Sequence, residues 1–267
     1  MQNDQNIDIN GVNLSVQDSG TNGEPIIFIH PFPFNKSVWQ EQFDFLKKTN
    51  RVITYDIRGF GNSTLDVKKS SIPLYAEDLI QLMDDLQIKK VIACGLSMGG
   101  YILLNAVERY PERFSAIILA DTQCVADSKE EQQKRYDTIK TLEEKGVTDF
   151  VEGFINKAFS PRTLENNSEL VDKMRQLMLS NTVSAFTSGL SAMAQREETC
   201  TGLKNLSIPA LVISGKNDIV IQPTQSELLF NNIPGAKLEF IEQAGHLANV
   251  EQPQAFNKII SNFIAHL

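Results

Sequence analysis

The sequence predicts an α/β fold: a mostly parallel central sheet flanked by helices, with a helical cap inserted late in the chain. Three observations carry that expectation. Short apolar, β-branched runs alternate with stretches of helical periodicity, which places a parallel sheet between two helical layers. A Gly95-Leu96-Ser97-Met98-Gly99 turn falls between one such run and one such helix. From about residue 125 to residue 205 the strand pattern stops and only helical patterns continue.

In chain order, Ile7 to Ile9 and Val12 to Val16 alternate around Asn10-Gly11, the signature of a hairpin. Residues 25–29 form a continuous apolar run suited to a strand buried on both faces. A helix over 39–48 and a strand over 51–55 follow, then a glycine-rich loop over 56–63. That loop has neither the glycine spacing nor the following helix of a phosphate-binding site. Leu79, Leu82, Met83 and Leu86 mark one face of a helix, and residues 90–94 read as a buried strand. The helix after Ser97 is stopped by Pro111, and a strand follows at 116–120. In the cap, a charged helix over 127–145 precedes three apolar stripes, centred on Phe154, Met174 and Leu190. After Pro209 the sheet resumes with a strand at 210–214, a helix at 225–231 and a strand at 237–241. A closing helix buries Phe256, Ile259, Ile260, Phe263 and Ile264. The expected division is a core over 1–124 and 206–267, interrupted by the cap over 125–205.

Composition excludes several classes of function. The 267 residues are 42% hydrophobic and 22% charged, enough for one large core plus an insertion. A net charge of -8 argues against nucleic-acid or anionic-membrane partners. No apolar stretch approaches the ~20 residues of a membrane span, and the polar start Met1-Gln2-Asn3-Asp4-Gln5 lacks the pattern of a signal peptide. The three cysteines, Cys94, Cys124 and Cys200, cannot all pair and have no metal-ligand spacing, so a reducing cytoplasm is expected. No metal or cofactor is called for. The oligomeric state is not legible.

A Gly-x-Ser-x-Gly between strand and helix is a nucleophile elbow, which makes Ser97 the candidate nucleophile. A serine hydroxyl needs an adjacent base, and the chain has three histidines. His266 is next to last, and His30 ends an early strand, where a structural role suits it. His246 follows the last strand, over the carboxyl edge of the sheet, and is the candidate base. Asp218, between serine and histidine in sequence and just past a strand end, is the candidate acid. Asp121 ends another strand and competes for that role; Asp56 precedes the serine, in the wrong order. An oxyanion hole needs two backbone N–H groups. Met98, next to the nucleophile, supplies one. In His30-Pro31-Phe32-Pro33-Phe34 the prolines have none, which leaves Phe32 between the two ends of that loop.

With these residues in place, the chain resembles the α/β-hydrolase superfamily. It looks most like small bacterial esterases, 3-oxoadipate enol-lactonases and cofactor-free haloperoxidases. The matching stretches are His30-Pro31-Phe32-Pro33, residues 56–63, Gly95 to Gly100, Gly215-Lys216-Asn217-Asp218 and Gly245-His246. The resemblance implies Ser97 as nucleophile, Asp218 as acid, His246 as base, and Phe32 and Met98 as oxyanion donors. The family usually has His-Gly where this chain has His30-Pro31, so the loop differs there from the family pattern. The implied function is a serine hydrolase that cleaves a small carboxylic ester or lactone through an acyl-enzyme. Pro33 after the aromatic residue, as in the perhydrolase-like relatives, leaves two readings open, a peracid-forming side activity or a proline that only stiffens the loop. A receptor or regulatory binding protein that keeps the triad is the alternative of another class, and a cofactor-independent lyase or oxygenase a third.

Overall fold

The computed structural model describes residues 4–20, 23–66 and 70–267; the expectation for the first three residues lies outside them. The chain opens with a hairpin of β1 (Gln5–Ile9) and β2 (Val12–Asp18), turned by Asn10 and Gly11 at φ 50° and 77°. β3 (Pro25–Ile29) leads through a 3-10 turn at Lys36–Trp39 into α1 (Gln40–Leu46). β4 (Arg51–Tyr55), α2 (Ile72–Asp85), β5 (Val91–Leu96), α3 (Met98–Arg109) and β6 (Phe114–Ala120) complete the first part of the sheet. α2 starts where its sequence says it should, with the Ser71 hydroxyl accepting the Leu74 N–H and Pro73 in the first turn.

Between β6 and the next strand lie the cap helices. They are α4 (Lys129–Lys145), α5 (Thr148–Ala158), α6 (Pro161–Asn166), α7 (Ser168–Leu179), α8 (Val183–Ala194) and α9 (Cys200–Leu203). α4 is stabilised by a capping box between Ser128 and Glu131, and Leu142 is its one buried residue, so most of its charges face solvent; Arg135, paired with Asp127, is the exception. The sheet resumes with β7 (Ala210–Gly215), followed by α10 (Pro223–Asn232), β8 (Lys237–Ile241), α11 (Ala248–Glu251) and α12 (Pro253–Ile264).

The described residues form an eight-stranded sheet in the order β1-β2-β4-β3-β5-β6-β7-β8, antiparallel only in the pairs β1–β2 and β2–β4. From β4 onward neighbouring strands are parallel, so the carboxyl ends of β3, β5, β6, β7 and β8 share one edge. β5 is buried along its whole length, as a central strand with helices on both faces must be. Ser97 leaves the sheet at that point. No helix among the described residues is long and apolar enough to cross a membrane.

One expectation is corrected. Cys124 and Cys200 form a disulfide, and only Cys94 is a free, buried thiol. The two partners are 76 residues apart in sequence, one where the chain enters the cap and the other where it leaves. Their meeting depends on how the cap folds back, which no local spacing encodes. Disulfides belong to oxidising surroundings, so the cysteine argument for a reducing cytoplasm falls.

Candidate active site

Ser97 sits at φ 54°, ψ −115°, a conformation that a non-glycine residue adopts only under constraint. The constraint is visible on both sides. The Ser97 N–H donates to the Ala120 carbonyl at 3.0 Å, and the Thr122 hydroxyl donates to the Ser97 carbonyl at 2.8 Å. A Cβ on Gly95 would collide with the Gly99 carbonyl, and one on Gly99 with the Ile29 carbonyl. The turn is therefore as tight as backbone packing allows.

His246 is fully buried and lies in the loop after β8. Its backbone N–H donates to Ala158, the last residue of α5, at 2.8 Å. Glu251 fixes the same loop, accepting from the Gly245 N–H at 2.6 Å and from the Ser160 hydroxyl at 2.7 Å. His246 Nδ1 lies 2.8 Å from Asp218 Oδ2. Asp218 Oδ1 accepts the N–H groups of Val220 and Ile221 at 2.8 and 3.0 Å, so the carboxylate is an acceptor throughout. Nδ1 then carries the imidazole proton and Nε2 keeps its lone pair. Nε2 is buried and has no hydrogen-bond partner among the described residues. His246 lines a cavity of about 650 Å³ together with Ser97 and Phe32.

Phe32 stands at the cavity with its ring against Phe60, Phe150 and Phe186, at centroid distances of 6.1, 6.0 and 5.6 Å. Its N–H meets no acceptor among the described residues, whereas the Phe34 N–H is used by the Pro31 carbonyl. Met98 opens α3, where the helix leaves its first N–H groups without internal acceptors. Phe150, Phe154 and Leu190 supply an apolar wall from the cap.

The competing residues lie elsewhere or do something else. Asp121 is buried at the end of β6 at φ 42°, and its Oδ1 accepts the Gly215 N–H at 2.7 Å. Burial, then the charge of Asp218, pushes its carboxyl well above the usual carboxylate range. It makes no hydrogen bond to a histidine. Asp56 receives the N–H groups of Lys36 and Asn62 and the Lys36 ammonium, which pins the glycine-rich loop. His30 accepts the Ile57 N–H on Nε2 at 2.9 Å and donates from Nδ1 to the Pro31 carbonyl at 2.9 Å, a structural histidine with both nitrogens satisfied. His266 is exposed at the end of α12.

Sequence reasoning missed two groups here. Asp127 lies between two guanidiniums, with Arg135 Nε at 2.5 Å and Arg196 Nη1 at 2.6 Å. Burial alone would raise its carboxyl; the two arginines outweigh that and hold it below its ordinary value. Lys134, Arg135 and Lys157 line the cavity together with Asp127 and Glu131, so cations outnumber carboxylates among those side chains by one. Asn181, between α7 and α8, is the second group. Its polarity signalled only a loop.

A mostly parallel sheet, a strained serine between β5 and α3, and a histidine–aspartate pair beyond the later strands define an α/β-hydrolase. The chain belongs to that family: its alpha/beta hydrolase fold model matches residues 24–253. Among named relatives, 3-oxoadipate enol-lactonase 2 of Acinetobacter baylyi is 33% identical over 88% of this chain and 86% of its own length. Among solved structures, a thermophilic esterase from Thermogutta terrifontis with malate bound superposes with a TM-score of 0.95 at 30% identity, covering 99% of this chain and 98% of the esterase. The enol-lactonase of Burkholderia xenovorans gives 0.90 at 26% identity, covering 98% of this chain and all of that one (100%).

Proposed function

We propose that this protein is a serine hydrolase of small carboxylic esters or lactones. One observation carries the reading: His246, tied by Nδ1 to Asp218 and with Nε2 unpartnered, lines the same cavity as Ser97. In the proposed reaction Ser97 Oγ attacks the carbonyl carbon while His246 Nε2 takes its proton. The Asp218 carboxylate stabilises the imidazolium. The N–H groups of Met98 and Phe32 receive the oxyanion of the tetrahedral intermediate. As that intermediate collapses, His246 returns the proton to the leaving alkoxide and an acyl-serine remains. Water, deprotonated by His246, then attacks the acyl carbon and Ser97 is regenerated.

The apolar wall of Phe150, Phe154 and Leu190 suits a hydrophobic portion of the substrate. The relatives named as 3-oxoadipate enol-lactonases favour a lactone bearing a carboxylate, and the excess of one cation among the charged residues of the cavity wall, with Lys157 on α5, is in keeping with that. Perhydrolysis, with peroxide in place of water at the acyl-enzyme, is a side activity within the same proposal, motivated by Pro33 after Phe32. Peracid formation by wild type and Pro33→Leu, with hydrolysis in parallel, tests it; unchanged peroxide-to-water selectivity removes it. The main test is a panel of p-nitrophenyl esters and lactones of graded size against a Ser97→Ala control. Turnover far above the control is expected. Tight binding with no turnover would replace the hydrolase by a binding protein.

A further inference from the structure

The loop that carries Phe32 does little to hold itself in place. It contains two prolines, and the Phe34 N–H to Pro31 carbonyl bond at 3.0 Å is its one backbone hydrogen bond among the described residues. Its first end is fixed to the core through His30 and Ile57. Past its second end, the Lys36 N–H donates to Asp56 Oδ1 at 2.8 Å, and between the two ends the loop is held from the cap. Asn181 Nδ2 donates to the Pro33 carbonyl at 2.9 Å, and Asn181 Oδ1 accepts the Gly61 N–H at 2.7 Å. One buried amide thus joins two core loops that are separated from it by 148 and 120 residues. Both polar ends of that amide are used, which a buried amide requires.

The ring of Phe32 is held from the same side. Phe186 on α8 and Phe150 on α5 meet it edge-on. Gly189 on α8 leaves room for it, since a Cβ there would come within 2.8 Å of Phe32 Cδ2 and 2.9 Å of Phe60 Cζ. The cap therefore grips the residue after Phe32 through its carbonyl and Phe32 itself through its ring.

We infer that Asn181 is a positioning residue for the Phe32 N–H, so that the cap and the oxyanion loop form one unit and turnover requires the cap to be seated. The inference rests on the serine-hydrolase reading. An oxyanion donor works only within about 2.7–3.1 Å of the developing charge, and losing one costs about 10²–10³ in kcat. A loop released from Asn181 keeps its N–H but loses its aim.

The test compares Asn181→Ala and Asn181→Asp with Thr182→Ala. The aspartate keeps the acceptor for Gly61 and removes the donor to Pro33. Thr182 caps α8 through the Ala185 N–H, so its loss weakens the same segment without touching the Phe32 loop. Three quantities are read for each: kcat and KM on an ester, affinity for an alkylboronic acid that forms a tetrahedral adduct on serine, and the thermal midpoint. Both Asn181 variants should lose roughly tenfold to a hundredfold in kcat, with KM within about twofold, and boronate affinity should fall in parallel with kcat/KM. Thr182→Ala should lower the midpoint and leave kcat alone. If kcat follows the midpoint across all three, Asn181 is merely structural and the inference is overturned. If Asn181→Ala does not fold, Asn181→Asp decides on the same criteria; if neither folds, Asn181 is a structural residue and the inference is overturned. Wild-type protein with neither turnover nor boronate binding would instead remove the hydrolase reading, and this inference with it.

Discussion

Asp218 Oδ2 and His246 Nδ1 lie 2.8 Å apart, both side chains wholly enclosed, while Asp121 stands behind them bonded to the Gly215 N–H. Two carboxyl groups thus share one buried region, and only one of them reaches the histidine.

Asp218→Asn should leave the fold intact and lower kcat by about 10⁴, because an amide no longer selects the tautomer with a free Nε2. Asp121→Asn should change kcat little, since an amide resembles the neutral acid that burial and Asp218 favour at this position. Steady-state kinetics on both variants decide; the reverse pattern would move the acid to Asp121.

The raised Asp121 carboxyl also makes a stability prediction. Unfolded, it ionises near the ordinary aspartate value of 3.8; folded, it holds its proton to higher pH. Its contribution is fully present below that value and is lost as pH rises toward the folded pKa. Asp121→Asn should therefore gain on wild type between pH 4 and 7 in urea midpoints. A constant difference would contradict a buried neutral acid.

His30 acts in the opposite direction. Its pKa falls from 6.5 to about 4 through burial, with Asp56 opposing and Lys36 adding to the fall. The unfolded chain takes the proton first, so stability is present above pH 6.5 and is lost as pH drops to 4, by about 3 kcal/mol. The gap between wild type and His30→Gln should close by about that amount from pH 7.5 to 4. A gap that stays level would show that His30 protonates freely in the folded protein.

The disulfide closes a long loop around the cap. With partners 76 residues apart, its loss should cost roughly 4.5 kcal/mol in the chain-entropy account. Thiol titration in denaturant should find one thiol without reductant and all three cysteines after reduction. Three thiols from the start would mean that the bond is not formed.

Much of this architecture could be read from residues alone. The runs at Ile26 and Ile92 are strands because their apolar, β-branched side chains fill both faces of a parallel sheet. Ser97 was legible because the chain must turn between a buried strand and a helix with glycine on either side. Asn10-Gly11 marked its hairpin for a similar local reason. What stayed hidden depends on how the cap lies on the core. Asn181 reads as a loop residue until Pro33 and Gly61 appear at its two ends. Asp127 reads as a helix-start carboxylate until Arg196 arrives from 69 residues away. The helix expected from Trp39 begins earlier, as a 3-10 turn capped by Asn35, because an asparagine cap competes with helical periodicity for the boundary.

The central claim is that Ser97 is the nucleophile that His246 activates, and covalent labelling tests it most directly. The protein should be treated with an alkyl fluorophosphonate and the adduct located by peptide mass spectrometry, in wild type, Ser97→Ala and His246→Ala, with ester turnover followed alongside. Wild type should carry one adduct, on Ser97, and lose turnover in proportion to labelling. Ser97→Ala should take no label, and His246→Ala should label far more slowly. Labelling and turnover that persist in Ser97→Ala would place the nucleophile elsewhere and contradict the account.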